Sequence, residues 1–322
     1  MYNYLGDNYM KEKRIVFLGT PEFAACVLQG LIDNNYNVVA VVSQPDKPVG
    51  RKKVLMPTPV KEVALKHNIP VYQPVSLRKD FEFLKELDID MLITTAYGQI
   101  LPQAVLDIAK INNINVHASL LPLLRGGAPI HRSIIEGHKK TGVTIMEMIY
   151  KMDAGRMYAK KEFEINDEIN TTQLFKELAI VGRDLLLETL PLLLNRQLEG
   201  EVQNEDEVTY AFNIKREEEK IDFNKPVVEV HNLIRGLAEV PGAYCVFKDK
   251  QFKIYQAKVF NKVENQDSIG TLKIEGKNRL LVKCSDGYLE LLSIQLEGKQ
   301  RMDVKSFLNG INKDDLVKEK LC

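Results

Sequence analysis

Two short stretches of this chain, Ile15-Val16-Phe17-Leu18 and Val38 to Val42, are apolar at every position, and Met91 to Ala96 and Ile114 to His117 are two further apolar runs that turn polar toward their ends. A strand with one wet face alternates polar and apolar residues, so an unbroken apolar run predicts a strand covered on both faces. Between the first two runs, Phe23, Val27, Leu28 and Leu31 recur at helical spacing, with Thr20 placed to cap that helix and Pro21 suited to its first position. Strand and helix therefore alternate, which predicts an α/β fold with a mostly parallel sheet between helix layers. Such sheets bind ligands beyond the carboxyl ends of their strands. Polar residues gather there: Gly19-Thr20, Ser43-Gln44, Tyr97-Gly98-Gln99, and Asn115 to Ser119.

The pattern changes after Gly142. Val143 to Ile149 and Met157 to Phe163 read as two strands joined through Asp153-Ala154-Gly155, and a long helix is expected from Thr172 with a kink or break at Pro191. Residues 197–212 are polar, acidic and aperiodic, which reads as a linker. Beyond it come one helical stretch, Val227 to Leu237, and short strands at Ala243-Phe247, Phe252-Phe260, Gly270-Ile274, Leu280-Cys284 and Tyr288-Ile294. Short, evenly spaced strands predict a small barrel. A length of 322 residues suits this two-domain division: 1–196, with 1–13 as a leader, then the linker, then 213–322.

Several function classes are disfavoured. Net charge is zero, so a nucleic-acid contact would need a local basic patch. No apolar run reaches the roughly 18 residues of a membrane span, and Met1 to Arg14 lacks the apolar core of a secretory signal, so a cytoplasmic protein is expected. The first apolar run ends in Gly19-Thr20-Pro21 and not G-x-G-x-x-G, and neither a P-loop nor a G-x-S-x-G elbow occurs. Cys26, Cys245, Cys284 and Cys322 are too far apart for a C-x-x-C pair, and Cys26 reads as a core residue within a helix. His131 and His138 lack a third ligand, so no metal is expected.

Asn115 and His117 are two residues apart at the end of an apolar strand. A period of two places both side chains on one face, aimed at the ligand edge of the sheet. Alone, that pair also fits a structural histidine hydrogen-bonded to a nearby amide, and Asp153 alone fits a turn residue before Gly155.

The longer string decides between these. Asn115-Val116-His117-Ala118-Ser119-Leu120-Leu121-Pro122, followed by Arg125-Gly126-Gly127-Ala128-Pro129-Ile130, resembles the signature of the folate-dependent formyltransferases. The resemblance extends to Gly19-Thr20-Pro21-Glu22-Phe23, Ala96 to Pro102, Gly142 to Met146 and Asp153-Ala154-Gly155, and is dense from about residue 14 to 164. Gln44-Pro45-Asp46-Lys47-Pro48-Val49-Gly50-Arg51 and Val208-Thr209-Tyr210-Ala211 resemble the branch that acts on tRNA. The resemblance implies a Rossmann-like catalytic domain followed by an OB-like, tRNA-binding barrel. It implies direct formyl transfer from 10-formyl-tetrahydrofolate to the amino group of initiator methionyl-tRNA, by a monomeric enzyme. Asn115, His117 and Asp153 match the family's catalytic trio. Asn115 and a protonated His117 would donate to the oxyanion of the tetrahedral intermediate, and Asp153 would orient His117, favour its charged form and help relay the proton. Ser119, Leu120, Leu121 and Pro122 match the folate-contacting segment, with the pterin expected against backbone from Ile93 to Gln99.

An insertion after the second strand, Ser43 to Pro59, carries Lys47, Arg51, Lys52 and Lys53. It reads as a mobile basic loop suited to phosphate, and Arg51 matches the residue implicated in reading the weak first base pair of initiator tRNA. From Val208 onward the chain is only faintly basic, with 20 basic and 17 acidic residues. Two departures from the family pattern affect tRNA contacts rather than catalysis. Leu123-Leu124 stands where the family often has a basic residue and an aromatic, and Val240-Pro241-Gly242-Ala243-Tyr244 lacks the family's tryptophan. A sister enzyme, a sugar-nucleotide formyltransferase or a formyl-folate hydrolase, would share the trio and the folate segment. A noncatalytic tRNA-binding protein would not require the trio.

Overall fold

A computed structural model describes residues 12–50, 53–261, 267–317 and 319–322, so most of the expected leader lies outside the described residues. The chain forms two compact units. The first comprises residues up to Pro129, with Lys140–Glu164 and Phe175–Phe212; the second comprises Ile130–Lys139, Ile165–Leu174 and Asn213–Cys322.

The elements up to residue 194 run β1 (Ile15–Gly19), α1 (Glu22–Asp33), β2 (Val38–Val42), β3 (Lys47–Val49), β4 (Val54–Met56), α2 (Pro59–Lys66), β5 (Val71–Tyr72), β6 (Met91–Thr95), α3 (Gln103–Leu106), β7 (Asn112–His117), α4 (Pro129–Ile135), β8 (Lys140–Glu147), β9 (Met157–Glu164) and α5 (Thr171–Leu194). The first unit holds a seven-stranded sheet in the order β5-β2-β1-β6-β7-β8-β9. Pairing is parallel from β5 to β7 and antiparallel from β7 to β9, which gives the expected Rossmann-like α/β arrangement. Every residue of β1 and β6 is buried, in keeping with the apolar run of β1 and of Met91 to Ile93, and Thr94 and Thr95 at the end of β6 are buried with them. On one side of the sheet, Val16, Leu18, Ala40, Val42 and Leu92 pack with Leu77, Leu84, Tyr97 and Val105. On the other, Gly182 of α5 lies so close that an added Cβ would meet Val116 Cγ1 at 2.9 Å.

Three local expectations need correction. Thr20 does not cap α1; Pro21 occupies the cap position without a side-chain bond, and the Thr20 hydroxyl donates to the Tyr97 carbonyl at 3.1 Å. The insertion is not an irregular loop, because β3 and β4 pair as an antiparallel hairpin, Lys47 with Met56 and Val49 with Val54. Residues 197–212 are not a free linker. They pack within the first unit, where Gln203 and Ala211 are buried and Ala211 N–H donates to the Arg125 carbonyl at 2.7 Å. Pro191 sits inside α5 and does not end it.

The second unit contains α6 (Val227–Gly236), β10 (Ala243–Phe247), β11 (Lys250–Asn261), β12 (Leu272–Glu275), β13 (Arg279–Lys283), β14 (Tyr288–Leu296), β15 (Met302–Asp303), α7 (Val304–Asn309) and α8 (Lys313–Leu316). Its sheet runs β10-β11-β14-β13-β12, with β15 beside β14. The two edges are stitched by residues 320–322. Thr271 bridges Lys320, Leu321 N–H donates to the Gly270 carbonyl at 3.0 Å, and Cys322 and Val246 exchange two backbone bonds. The sheet itself is open, consistent with an OB-like domain, and its core holds Val230, Ile234, Cys245, Phe252, Leu289, Leu291 and Phe307 among others. Among the described residues, no helix is long and apolar enough to cross a membrane.

Candidate active site

One strand end and one turn supply the expected trio. Asn115 and His117 close β7, where Asn115 pairs with Thr94 of β6 on one side and Met146 of β8 on the other, and His117 pairs with Thr144. The Thr94 hydroxyl lies 3.2 Å from Asn115 Oδ1, so the Asn115 amino group is turned away from Thr94. His117 is 5% exposed, and its Nε2 lies 3.1 Å from the Leu124 carbonyl. A carbonyl only accepts, so Nε2 carries a proton and Nδ1 is the nitrogen free to gain or lose one. That nitrogen faces Asp153 Oδ1 at 3.7 Å.

Asp153 lies in the turn between β8 and β9, at φ 49°. The left-handed region is tolerated by Asp better than by most residues. Gly155 lets the turn close, because a Cβ there would meet the Glu147 carbonyl at 2.1 Å. The second Asp153 oxygen, Oδ2, accepts from Gly126 N–H at 2.8 Å. Thus the string from Asn115 to Ile130 and the separate Asp153-Ala154-Gly155 triplet meet at one place.

The strap from Ser119 to Ala128 is held on both flanks. Ser119 Oγ donates to the Leu123 carbonyl at 2.6 Å, while Thr144 Oγ1 donates to the Ser119 carbonyl at 2.7 Å and accepts from Leu121 N–H at 3.1 Å. Leu121 is packed with Met146 and Met157, and Pro122 is buried. Of the four expected folate residues, Ser119, Leu121 and Pro122 are buried and only Leu120 is half-buried. Across the other flank, Leu124 N–H donates to Thr209 Oγ1 at 2.9 Å, Arg125 N–H to the Thr209 carbonyl at 2.9 Å, and Ala128 N–H to the Ala211 carbonyl at 3.0 Å.

Beyond β6 the backbone turns through Ala96 at φ 46° and Gly98 at φ 87°. The Tyr97 carbonyl there is fixed by Thr20 Oγ1 and Gln44 Nε2, each at 3.1 Å. An irregular but fixed backbone at the carboxyl end of a parallel strand offers N–H and C=O groups outside the ladder, which is what the edge of a pterin requires. The residues present therefore fit a folate.

Two further side chains brace this region: Arg125, which opens the second half of the signature string, and Gln203, which nothing in the sequence marks. Arg125 is fully buried, and its guanidinium bonds Gln203 Oε1 from Nε at 3.0 Å and from Nη2 at 2.8 Å, and Glu205 Oε1 at 3.0 Å. Gln203 Nε2 donates to the carbonyls of Asp153 and Gly155 at 2.9 and 2.8 Å. The Arg125 guanidinium, with Lys151, holds the Glu205 carboxyl below the usual carboxylate range. Gln203 escaped notice because one amide in a polar, aperiodic segment has no periodic signature.

The insertion's base is pinned by a buried bond of 2.7 Å between the Ser43 and Thr58 hydroxyls. Lys61 Nζ contacts Asp46 Oδ2 at 2.6 Å, and Gln73 Nε2 donates to Asp46 Oδ1 at 2.7 Å. Lys47 and Lys53 are exposed on the hairpin; Arg51 and Lys52 lie outside the described residues. No group of three or more His, Cys, Asp or Glu residues placed to hold a metal occurs among the described residues.

This fold is that of the formyl transferase family, to which the chain belongs. The formyl transferase model matches residues 13–190, and the model for the family's C-terminal domain matches 213–312. A methionyl-tRNA formyltransferase of Lactococcus lactis subsp. cremoris (strain SK11) is 49% identical over 97% of this chain and 99% of its own length. One from Streptococcus agalactiae serotype III (strain NEM316) is 48% identical over 94% of this chain and 96% of its own. Among solved structures, WlaRD, a sugar 3N-formyl transferase determined in the presence of dTDP and 5-N-formyl-THF, has a TM-score of 0.65 at 19% identity, covering 89% of this chain and 99% of that one. HypX from Aquifex aeolicus in complex with tetrahydrofolic acid has a TM-score of 0.64 at 16% identity, covering 92% of this chain and 46% of that one. At those identities the likeness is one of fold.

Proposed function

We propose that this chain transfers the formyl group of 10-formyl-tetrahydrofolate to the free amino group of initiator methionyl-tRNA. The observation that carries the acceptor is collinear identity of 49% with a methionyl-tRNA formyltransferase across 97% of the chain, hairpin insertion and second unit included. The folate, when bound, supplies a formyl carbon open to attack by an amine. Asn115 offers its amino group to the formyl oxygen as negative charge builds there. His117, held through Nε2–H on the Leu124 carbonyl, presents Nδ1 as the site of proton gain and loss. A proton on Nδ1 faces the Asp153 carboxylate, which is itself fixed by Gly126 N–H. Strap residues Ser119 to Pro122 hold the folate through backbone and Leu120. Transfer is direct and uses no metal.

On the tRNA side, the insertion's basic residues Lys47, Arg51, Lys52 and Lys53 meet the acceptor end, and residues 213–322 add a second tRNA-binding surface. The enzyme acts as a monomer in the cytoplasm. The test is an acceptor panel with 10-formyl-tetrahydrofolate as donor and initiator methionyl-tRNA, elongator methionyl-tRNA or an amino sugar nucleotide as acceptor. Preferential formylation of the initiator is expected. Formylation of the sugar alone would move the chain to the sister branch.

A further inference from the structure

We infer that Gln203 is a positioning residue that aims the Asp153 carboxylate at His117, an inference that rests on the catalytic reading of Asp153. Arg125, Gln203, Asp153 and Gly126 form a closed ring. The Arg125 side chain binds Gln203 Oε1, Gln203 Nε2 binds the Asp153 and Gly155 carbonyls, and the Asp153 carboxylate returns to the N–H of Gly126, the residue after Arg125. The turn's backbone is thereby fixed from one side and its carboxylate from the other. With Oδ2 taken by Gly126, Oδ1 is the oxygen left facing His117 Nδ1 at 3.7 Å.

The chemistry of the ring admits one orientation. A guanidinium only donates and a peptide carbonyl only accepts, so the Gln203 amide must face Arg125 with oxygen and the turn with nitrogen. The flipped amide would set NH2 against a buried cation and oxygen against two carbonyls. Gln203 is 5% exposed and Arg125 is fully buried, so water cannot rescue such an error. A carboxylate could satisfy Arg125 but could not hold the turn; an amide does both. Asp153 sits at φ 49°, a left-handed conformation that Asp tolerates and that the bonds on both sides of the turn hold in place. Misplacing a catalytic group by about 1 Å can cost roughly 100-fold in rate, so a residue that fixes Asp153 matters without touching substrate.

Gln203→Glu tests this, because it preserves shape and the acceptor for Arg125 while replacing the two donated bonds by repulsion. Its kcat should fall about 10- to 100-fold, with the Michaelis constants for folate and tRNA within about twofold of wild type. The same change should then be made in an Asp153→Ala background. A residue acting only through Asp153 adds little there, so the two losses should be strongly non-additive. Should Gln203→Glu fail to fold, Gln203→Met, which removes the donors without adding charge, takes its place in the same cycle. Loss of equal size in both backgrounds, or unchanged kcat in a folded Gln203 variant, would overturn the inference. Unchanged turnover in Asp153→Ala alone would instead overturn the catalytic reading on which it rests.

Discussion

Nδ1 of His117 stands 3.7 Å from Oδ1 of Asp153, near enough for charge attraction and too far for a hydrogen bond. Nε2 is already engaged by the Leu124 carbonyl at 3.1 Å, so the imidazole is held by the strap and not by the carboxylate. The pair is thus set to tighten when a proton reaches Nδ1. Apo sites often show such loose contacts before substrate arrives.

Substitution tests the proposed trio. Asn115→Ala, His117→Ala and Asp153→Ala should each lower kcat by roughly 100-fold or more, as lost oxyanion donors or acid–base groups do. Folate affinity, measured by equilibrium binding, should change far less. A purified, folded variant with wild-type turnover would remove its residue from the chemistry.

Gly126 ties the strap to the site. It lies at φ 126°, and an added Cβ would meet the Ala211 carbonyl at 2.7 Å. Gly126→Ala should therefore lose about 2–3 kcal/mol of unfolding stability in urea, since both backbone strain and a backbone clash oppose the methyl group. Turnover should fall as well, because Gly126 N–H holds Asp153. A midpoint equal to wild type would show that the strap relaxes freely.

Acid should loosen the base of the insertion. Bonds from Gln73 and then Lys61 hold the Asp46 carboxyl below the usual carboxylate range. A carboxyl lowered in the folded state adds stability above its unfolded value, and that stability is lost as pH falls through the folded one. Between about pH 5 and pH 3, stability should thus decline less steeply in Asp46→Asn than in wild type. Parallel curves from pH-dependent denaturation would exclude Asp46 from the acid response.

Much of the catalytic unit was legible in the sequence, and the reasons are physical. The runs that became β1, β2 and β6 stand out because burial on both faces leaves no room for polar alternation. Asn115 and His117 share a face because strand period requires it. The hairpin β3–β4 was not legible: Val54, Leu55 and Met56 are all exposed, so burial imposes no alternation on them. Nor was the pairing of residues 320–322 with both edges of the second unit's sheet, which rests on backbone bonds that any sequence can make. Thr20 matched a helix cap by type, yet its hydroxyl is taken by a carbonyl 77 residues away, a competition visible only in three dimensions.

The basic insertion should read the tRNA. Arg51 can place a planar, permanently charged fork against phosphate and base edges, whereas Lys47, Lys52 and Lys53 supply diffuse attraction. Arg51→Ala should reduce discrimination between initiator and elongator tRNA as well as affinity. Each lysine change should weaken both tRNAs alike and flatten the log–log salt dependence by about one unit per lost phosphate contact. An intact initiator preference in Arg51→Ala, measured across a salt series, would rule this loop out as the reader.

Direct transfer at the Asn115–His117–Asp153 site is most sharply examined in a single turnover. Enzyme in excess is mixed with 10-formyl-tetrahydrofolate labelled in the formyl group and initiator methionyl-tRNA, and the reaction is quenched in time. Label should leave the folate and enter the tRNA-bound methionine at one rate, with none on the protein. Burial pushes the Cys284 thiol up to about 12 and raises those of Cys26 and Cys245, which leaves these cysteines poor nucleophiles. In Asp153→Ala the same single step should slow by roughly 100-fold. Label passing through a protein-bound species, or an unchanged rate in Asp153→Ala, would contradict the account.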